Sequence, residues 1–347
     1  MTGGIEVHDL VKTYEGSPAV DGVSFDIAPQ ELFVIVGESG CGKSTLLRLI
    51  AGLETPDTGT IHLHGNMVAA KGVFEPPEAR ATGFVFQSYA LWPHMSVRDN
   101  VAFPLEAAGI ARKVAAEAAA PHLETVSLTH LAERKPDALS GGQRQRVALA
   151  RCLAGGAKTI LMDEPLANLD PHLRATMERE LLAFHRSSGA TTIYITHDQR
   201  EAMALADRMA VMRNGKFLQI GTPQEIYDRP VSREVADFIG HGAVVPVHFA
   251  QNTAALDGVS FPATAGPGPR PGKALALLRP ESIEILSNGN TDGLAGTVRG
   301  TFYRGGTWEA EFELTNGAVL TLSHDAPLKT GQPLYVRFKH AWILPEA

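Results

Sequence analysis

Residues 37–45, Gly37-Glu38-Ser39-Gly40-Cys41-Gly42-Lys43-Ser44-Thr45, constrain this chain more than any other segment. The first eight fit G-x-x-x-x-G-K-[ST] in full. They stand between a strand-like apolar run at 31–36 and a helical run from Lys43 to about Ala51. A strand, a glycine-rich turn and a helix in that order aim backbone N–H groups and a helix N-terminus at one point. The glycines let the main chain close on a polyanion. The chemistry implied is a nucleoside triphosphate, with Lys43 reaching the β- and γ-phosphates. Ser44 would hold Mg²⁺, a hard cation that takes oxygen ligands.

The same texture recurs. Apolar runs at 159–162 and 191–196 are each followed by helix-like sequence. Such repetition predicts an α/β fold with a mostly parallel sheet and helices packed around it. Residues 222–239 read as short helices. After about 240 the texture changes, and at 347 residues the chain has room for more than one domain. Residues 262–272, Pro-Ala-Thr-Ala-Gly-Pro-Gly-Pro-Arg-Pro-Gly, predict neither regular helix nor central strand. Short alternating runs follow at 274–278, 308–314 and 334–338, with turns such as Asn316-Gly317 between them. These predict a small all-β barrel or sandwich. The expected domains are 1–240 and 241–347.

The net charge is -7 and the pI about 6.0, which gives no support for nucleic-acid binding. Cys41 and Cys152 make no disulfide framework and suit a reducing compartment. The start lacks the pattern of a secretory signal. No apolar run reaches the roughly 18 residues of a membrane span, so any work at a membrane is expected to go through partners.

Further polar residues follow apolar strands. Ile160-Leu161-Met162 leads into Asp163 and Glu164, whose side chains leave the strand in different directions and can do separate jobs. Asp163 suits a Mg²⁺ shell, and Glu164 suits a general base toward water. His197 follows the run 192–196 and Gln87 follows Phe84-Val85-Phe86, where open α/β sheets bind ligands. Taken alone, each is equally readable as structural. Tyr14 alone reads first as a packing residue and second as a base-stacking one.

Leu139-Ser140-Gly141-Gly142-Gln143 narrows these readings. A serine followed by glycines at a helix start is a second anion-binding N-terminus. It is also the signature of ABC ATPases, and over residues 4–240 the chain resembles that family. Residues 37–45 resemble the Walker A loop, Gln87 the Q-loop, 139–143 the signature and 160–164 Walker B. Ala167-Asn168-Leu169-Asp170 resembles the D-loop, with Asn168 where many members carry Ala. His197 resembles the switch histidine, and Tyr14 the aromatic that stacks on adenine. The resemblance implies a P-loop fold with a helical subdomain at about 88–155. It implies ATP as the nucleotide and Mg²⁺ held by Ser44, Gln87 and Asp163. It also implies hydrolysis carried by Glu164, His197 and Gln87. Ser140, Gly141, Gly142 and Gln143 would close the site of a second copy in a head-to-tail dimer, with Asp170 at the D-loop.

Leu278-Arg279-Pro280-Glu281-Ser282-Ile283 resembles the start of the OB-like TOBE domain of importer ATPases. Ser88-Tyr89-Ala90-Leu91-Trp92-Pro93-His94-Met95-Ser96-Val97 lies where importer ATPases receive their membrane subunits. It reads as an exposed docking surface or as a buried loop. The resemblance therefore implies two permease subunits, an extracytoplasmic solute-binding protein and a peripheral place on the cytoplasmic face of the membrane. Residues 86–91 look most like ferric-iron and polyamine importers. Ferric iron is the first expectation for the cargo, and a polyamine, a sugar or another small solute the alternatives. A non-transport ABC ATPase is the other class, but the interval 45–139 is too short for coiled-coil arms and the chain shows one cassette.

Overall fold

Leu32-Phe33-Val34-Ile35-Val36 is buried along its whole length, as a strand covered on both faces must be. In the computed structural model of the chain, residues 4–345 are described apart from 168, 170, 267, 269 and 287–292. The run is β3 (Leu32–Val36), inside a six-stranded sheet. Its order is β11 (Lys216–Gly221), β10 (Arg208–Arg213), β3, β9 (Thr191–Thr196), β8 (Thr159–Asp163) and β7 (Thr82–Val85). All neighbours are parallel except the β10–β11 hairpin. Helix α1 (Lys43–Ala51) buries Leu46, Leu47, Leu49 and Ile50. Helices α5 (Pro171–Ser188) and α6 (Gln199–Leu205) follow β8 and β9. Between β7 and β8 come α2 (Val97–Ala107), α3 (Arg112–Thr125) and α4 (Gly141–Ala154).

A second sheet was not foreseen from the sequence. It is antiparallel, in the order β2 (Ser17–Ile27), β1 (Ile5–Tyr14), β4 (Thr58–Leu63), β5 (Asn66–Ala70) and β6 (Val73–Phe74). Ile5, Val7, Val23, Phe25 and Ile61 face one core with α1 and β3, and the rings of Phe25 and Phe33 stack at 5.6 Å.

The chain divides into two compact units between Pro223 and Gln224. The sequence reading puts the boundary near 241, so the short helices α7 (Pro223–Asp228) and α8 (Arg233–Phe238) fall almost wholly on the C-terminal side. In that unit β12 (Ala243–Ala250), β13 (Thr253–Leu256), β14 (Val259–Ala265), β21 (Ala341–Ile343) and β15 (Gly272–Leu278) close a barrel. A five-stranded sheet joins it: β16 (Ile283–Ile285), β20 (Pro333–Phe338), β17 (Leu294–Tyr303), β18 (Trp308–Leu314) and β19 (Val319–His324). Strand β14 runs into the Pro/Gly tract as far as Ala265, further than the composition suggests. Pro262 is tolerated there because it pairs only with β13, and the β21 ladder begins at Ala263.

The Leu278–Glu281 motif has a structural reason. Arg279 is nearly buried and donates to the carbonyls of Tyr227 (2.7 and 3.2 Å) and Ile239 (2.7 Å). Its guanidinium lies 4.0 Å from the centre of the Tyr227 ring. Burial and a hydrogen bond to Glu281 push the Tyr227 hydroxyl up to about 12. One arginine thus anchors the segment that carries α7 and α8.

Candidate functional site

Strands β3, β9, β8 and β7 end at one edge. The register pairs Val36 with Thr196, Asp163 with Ile195, and Val85 with Met162. Gly37, His197, Glu164 and Gln87 each stand within two residues of those ends, which is where an open parallel sheet binds ligands.

The loop from Gly37 to Gly42 needs its glycines. Gly40 and Gly42 have φ of 81° and 109°. A Cβ on Gly42 would lie 2.0 Å from the carbonyl oxygen of Ala19, on β2. The loop therefore rests on the β1–β2 hairpin. Tyr14, paired with Ser17 at the turn of that hairpin and exposed, belongs to the same corner. The Lys12 ammonium is 5.3 Å from its ring.

Lys43 is buried, and its ammonium donates to the carbonyls of Gly37 (2.8 Å) and Glu38 (2.9 Å). The loop thus holds a cation with its own main chain. Ser39 and Gly40 are exposed, Ser44 and Thr45 half-buried, and Cys41 buried with its thiol pushed up by that burial.

Ser44 Oγ donates to Asp163 Oδ1 at 3.0 Å. Burial raises the Asp163 carboxyl above its ordinary range; the charge of Glu164 adds to this, while the bond from Ser44 opposes it. A hydroxyl and a carboxylate oxygen side by side are the donor chemistry a hard divalent cation takes, so these residues fit Mg²⁺.

Glu164 adopts a left-handed backbone, φ 45°, uncommon for a residue with a side chain. Its N–H donates to Ile195 O at 3.1 Å, and its Oε2 lies 3.0 Å from His197 Nδ1. An ionised carboxylate only accepts, so Nδ1 carries the proton and Nε2 faces away from Glu164. The imidazole is about half exposed and Glu164 is 18% exposed, so water reaches the pair.

The signature opens α4. Ser140 caps the helix by accepting from the N–H of Gln143 at 3.3 Å, and Gln143 Oε1 accepts from the N–H of Ser140 at 2.9 Å. A Cβ on Gly141 would come within 2.8 Å of Leu169 Cδ2, so Gly141 lets the D-loop segment approach. Gly142 is buried behind it. Asn168 and Asp170 lie outside the described residues.

The segment 88–97 is partly exposed and partly buried. Trp92 is exposed, whereas Tyr89 is buried and donates its hydroxyl to Pro165 O at 3.3 Å. Sequence reasoning missed the group that holds it. Arg151 of α4 donates to the carbonyls of Tyr89 (2.9 Å) and Ala90 (2.7 Å), both in left-handed backbone. It also missed the network in which the half-buried Arg174 meets the buried Tyr194, Thr196 and Glu201 next to His197. Helical arginines and glutamates ordinarily read as solvated, and no local pattern marks these.

The ABC transporter family profile matches residues 20–167, and the TOBE domain profile residues 276–344. The spermidine/putrescine import ATP-binding protein of Pseudomonas aeruginosa is 40% identical over 92% of this chain and 90% of its own. The Fe(3+) ions import ATP-binding protein of Rhizobium etli is 40% identical over 93% and 91%. The trehalose/maltose import ATP-binding protein of Thermococcus litoralis is 46% identical over 82% and 73%. Among solved structures, a dimeric ATP-binding cassette in a post-hydrolysis state bound to ADP and Pi matches with a TM-score of 0.55. It is 28% identical and covers 63% of this chain and 98% of that one. The chain belongs to the ABC transporter family, to its import ATP-binding subunits with a C-terminal TOBE domain, and is an ATP hydrolase.

Proposed function

We propose that two copies of this chain close head to tail on ATP and that hydrolysis reopens them, driving solute uptake through two permease subunits fed by an extracytoplasmic solute-binding protein. The observation that carries this is the pairing of Glu164 with His197 at the same sheet edge as Lys43, Ser44 and Asp163.

The roles in this reading are those that the resemblance implies, and the grouping of Lys43, Ser44, Asp163, Glu164 and His197 at one sheet edge supports them. Tyr14 stacks on the adenine, and the main chain of Gly37, Ser39, Gly40, Cys41, Gly42, Lys43, Ser44 and Thr45 cradles the phosphates. Lys43 turns its ammonium from the loop carbonyls toward the β- and γ-phosphate oxygens. Ser44, Asp163 and Gln87 hold Mg²⁺, which supplies positive charge where phosphoryl transfer needs it. Glu164 orients the attacking water and accepts its proton, while His197 fixes the Glu164 carboxylate through Nδ1–H. Ser140, Gly141, Gly142 and Gln143 bring a helix N-terminus to the γ-phosphate of the other copy, and Asp170 is assigned to the D-loop by the resemblance alone.

The permeases would seat on the groove beside Trp92. It is a cavity of about 580 Å³ lined by Phe84, Phe86, Trp92, Phe103, Pro104 and Ala107 among others. No helix among the described residues is long and apolar enough to cross a membrane. In this reading the permeases hold the chain at the cytoplasmic face. The cargo is a small cation, ferric iron first and a polyamine second. The relatives matched over nine-tenths of both chains, C-terminal domain included, are named for those solutes, and the sugar importer aligns over less of its length.

The catalytic test is Glu164→Gln. It keeps ATP binding, loses hydrolysis by about 10²-fold or more, and traps an ATP-bound dimer in size-exclusion chromatography. Near-normal turnover would sink the role given to Glu164. Ligand screening of the cognate binding protein decides the cargo, and a sugar-only response would displace the cation.

A further inference from the structure

The turn that carries His197 is held from both sides by groups outside the catalytic set. Before it, Thr196 Oγ1 donates to Glu201 Oε2 at 2.8 Å and accepts from the N–H of Asp198 at 3.0 Å. The Tyr194 hydroxyl donates to the same Glu201 oxygen at 2.8 Å. Thr196 and Glu201 are 2% and 3% exposed. After it, Asp198 caps α6 by accepting from the N–H of Arg200 at 2.8 Å, and its other oxygen pairs with Arg174 Nη1 at 3.2 Å. Arg174, on α5, also donates through Nη2 to the carbonyl of Leu169 at 3.4 Å. Its Nε stands 3.4 Å from Glu201 Oε1, an ion-pair contact rather than an aligned hydrogen bond. Leu169 is the residue on which the signature glycine Gly141 rests.

A carboxylate this deeply buried gains little stability over apolar packing, because desolvation offsets the attraction. Two hydroxyls and a guanidinium converging on it do fix one geometry. We propose that Glu201 and Arg174 are positioning residues for hydrolysis. Glu201 locks the turn from which His197 reaches Glu164, and Arg174 ties that turn to the segment ending in Leu169. A displacement at the start of the signature helix is then felt at the imidazole. The inference rests on the role given to His197 above.

The test is steady-state ATP turnover of the full chain, with ATP affinity and thermal midpoint measured beside it. Thr196→Val keeps the shape and deletes the hydroxyl. It is expected to lower kcat about tenfold with KM within about twofold, the mark of misplacement rather than lost binding. Thr196→Ser restores kcat to within about twofold of wild type. Arg174→Met, which keeps the stem and removes the fork, lowers kcat to the same degree. Wild-type kcat in Thr196→Val and Arg174→Met beside an inactive His197→Ala overturns the positioning role and leaves His197 in place. An equal loss of ATP affinity and kcat in those two variants overturns it as well, since that is a structural effect. Wild-type turnover in His197→Ala removes the reading on which it rests.

Discussion

Gly42 meets two demands that only glycine satisfies together, a left-handed backbone and a main-chain oxygen 2.0 Å from where a Cβ would sit. Gly42→Ala is therefore expected to displace the loop, costing about 1–3 kcal/mol in urea unfolding and abolishing binding of a fluorescent ATP analogue. Wild-type binding in that variant would show that the hairpin yields instead. Glycine, Lys43 and the residues just past the strands were legible because each stands at a break in an apolar run. Arg151, Arg174 and Glu201 were not. They sit inside helices, where nothing local separates an inward-turned polar side chain from a solvated one. Tyr89 shows the same limit, since the Arg151 guanidinium that holds its carbonyl is on a helix 62 residues further along the chain.

Among the elements, the parallel sheet was readable from three apolar runs, yet the antiparallel sheet escaped. Its strands are split by the phosphate loop and α1, and β1 carries register shifts that break its alternation. Helix α5 carries a pH-sensitive contact of its own. His185 is buried, with Nδ1 2.9 Å from Thr192 Oγ1, and burial holds its imidazole below the ordinary value of 6.5. The unfolded chain takes up this proton first. The contribution of His185 is therefore complete above about pH 6.5 and is lost as pH falls from there toward the lower folded value. Urea midpoints at pH 7.5 and 5.5 should differ more in the wild type than in His185→Gln. An equal difference would place the sensitivity elsewhere.

For the whole molecule, the two-part organisation was legible from the change of texture near 240, but the division at 223/224 was not. Helical texture groups α7 and α8 with the first part, whereas Arg279 holds their segment from within the second. Arg279→Met leaves the carbonyls of Tyr227 and Ile239 without their donors. It is expected to cost about 2–4 kcal/mol and to open residues 224–240 to limited proteolysis. A fully protected segment would show that apolar packing suffices.

Arg279 addresses oxygens of the main chain, and the Trp342 indole likewise donates to the carbonyl of Pro230 at 3.0 Å. Main-chain oxygens carry no record of which side chain they belong to. What ties 224–239 to particular side chains is instead the burial of Ile226, Val235, Ala236 and Ile239 and the Tyr227 ring 4.0 Å from the Arg279 guanidinium. Any other C-terminal module grafted after this stretch would have to bring its own equivalents of the Arg279 guanidinium and the Trp342 indole to hold it.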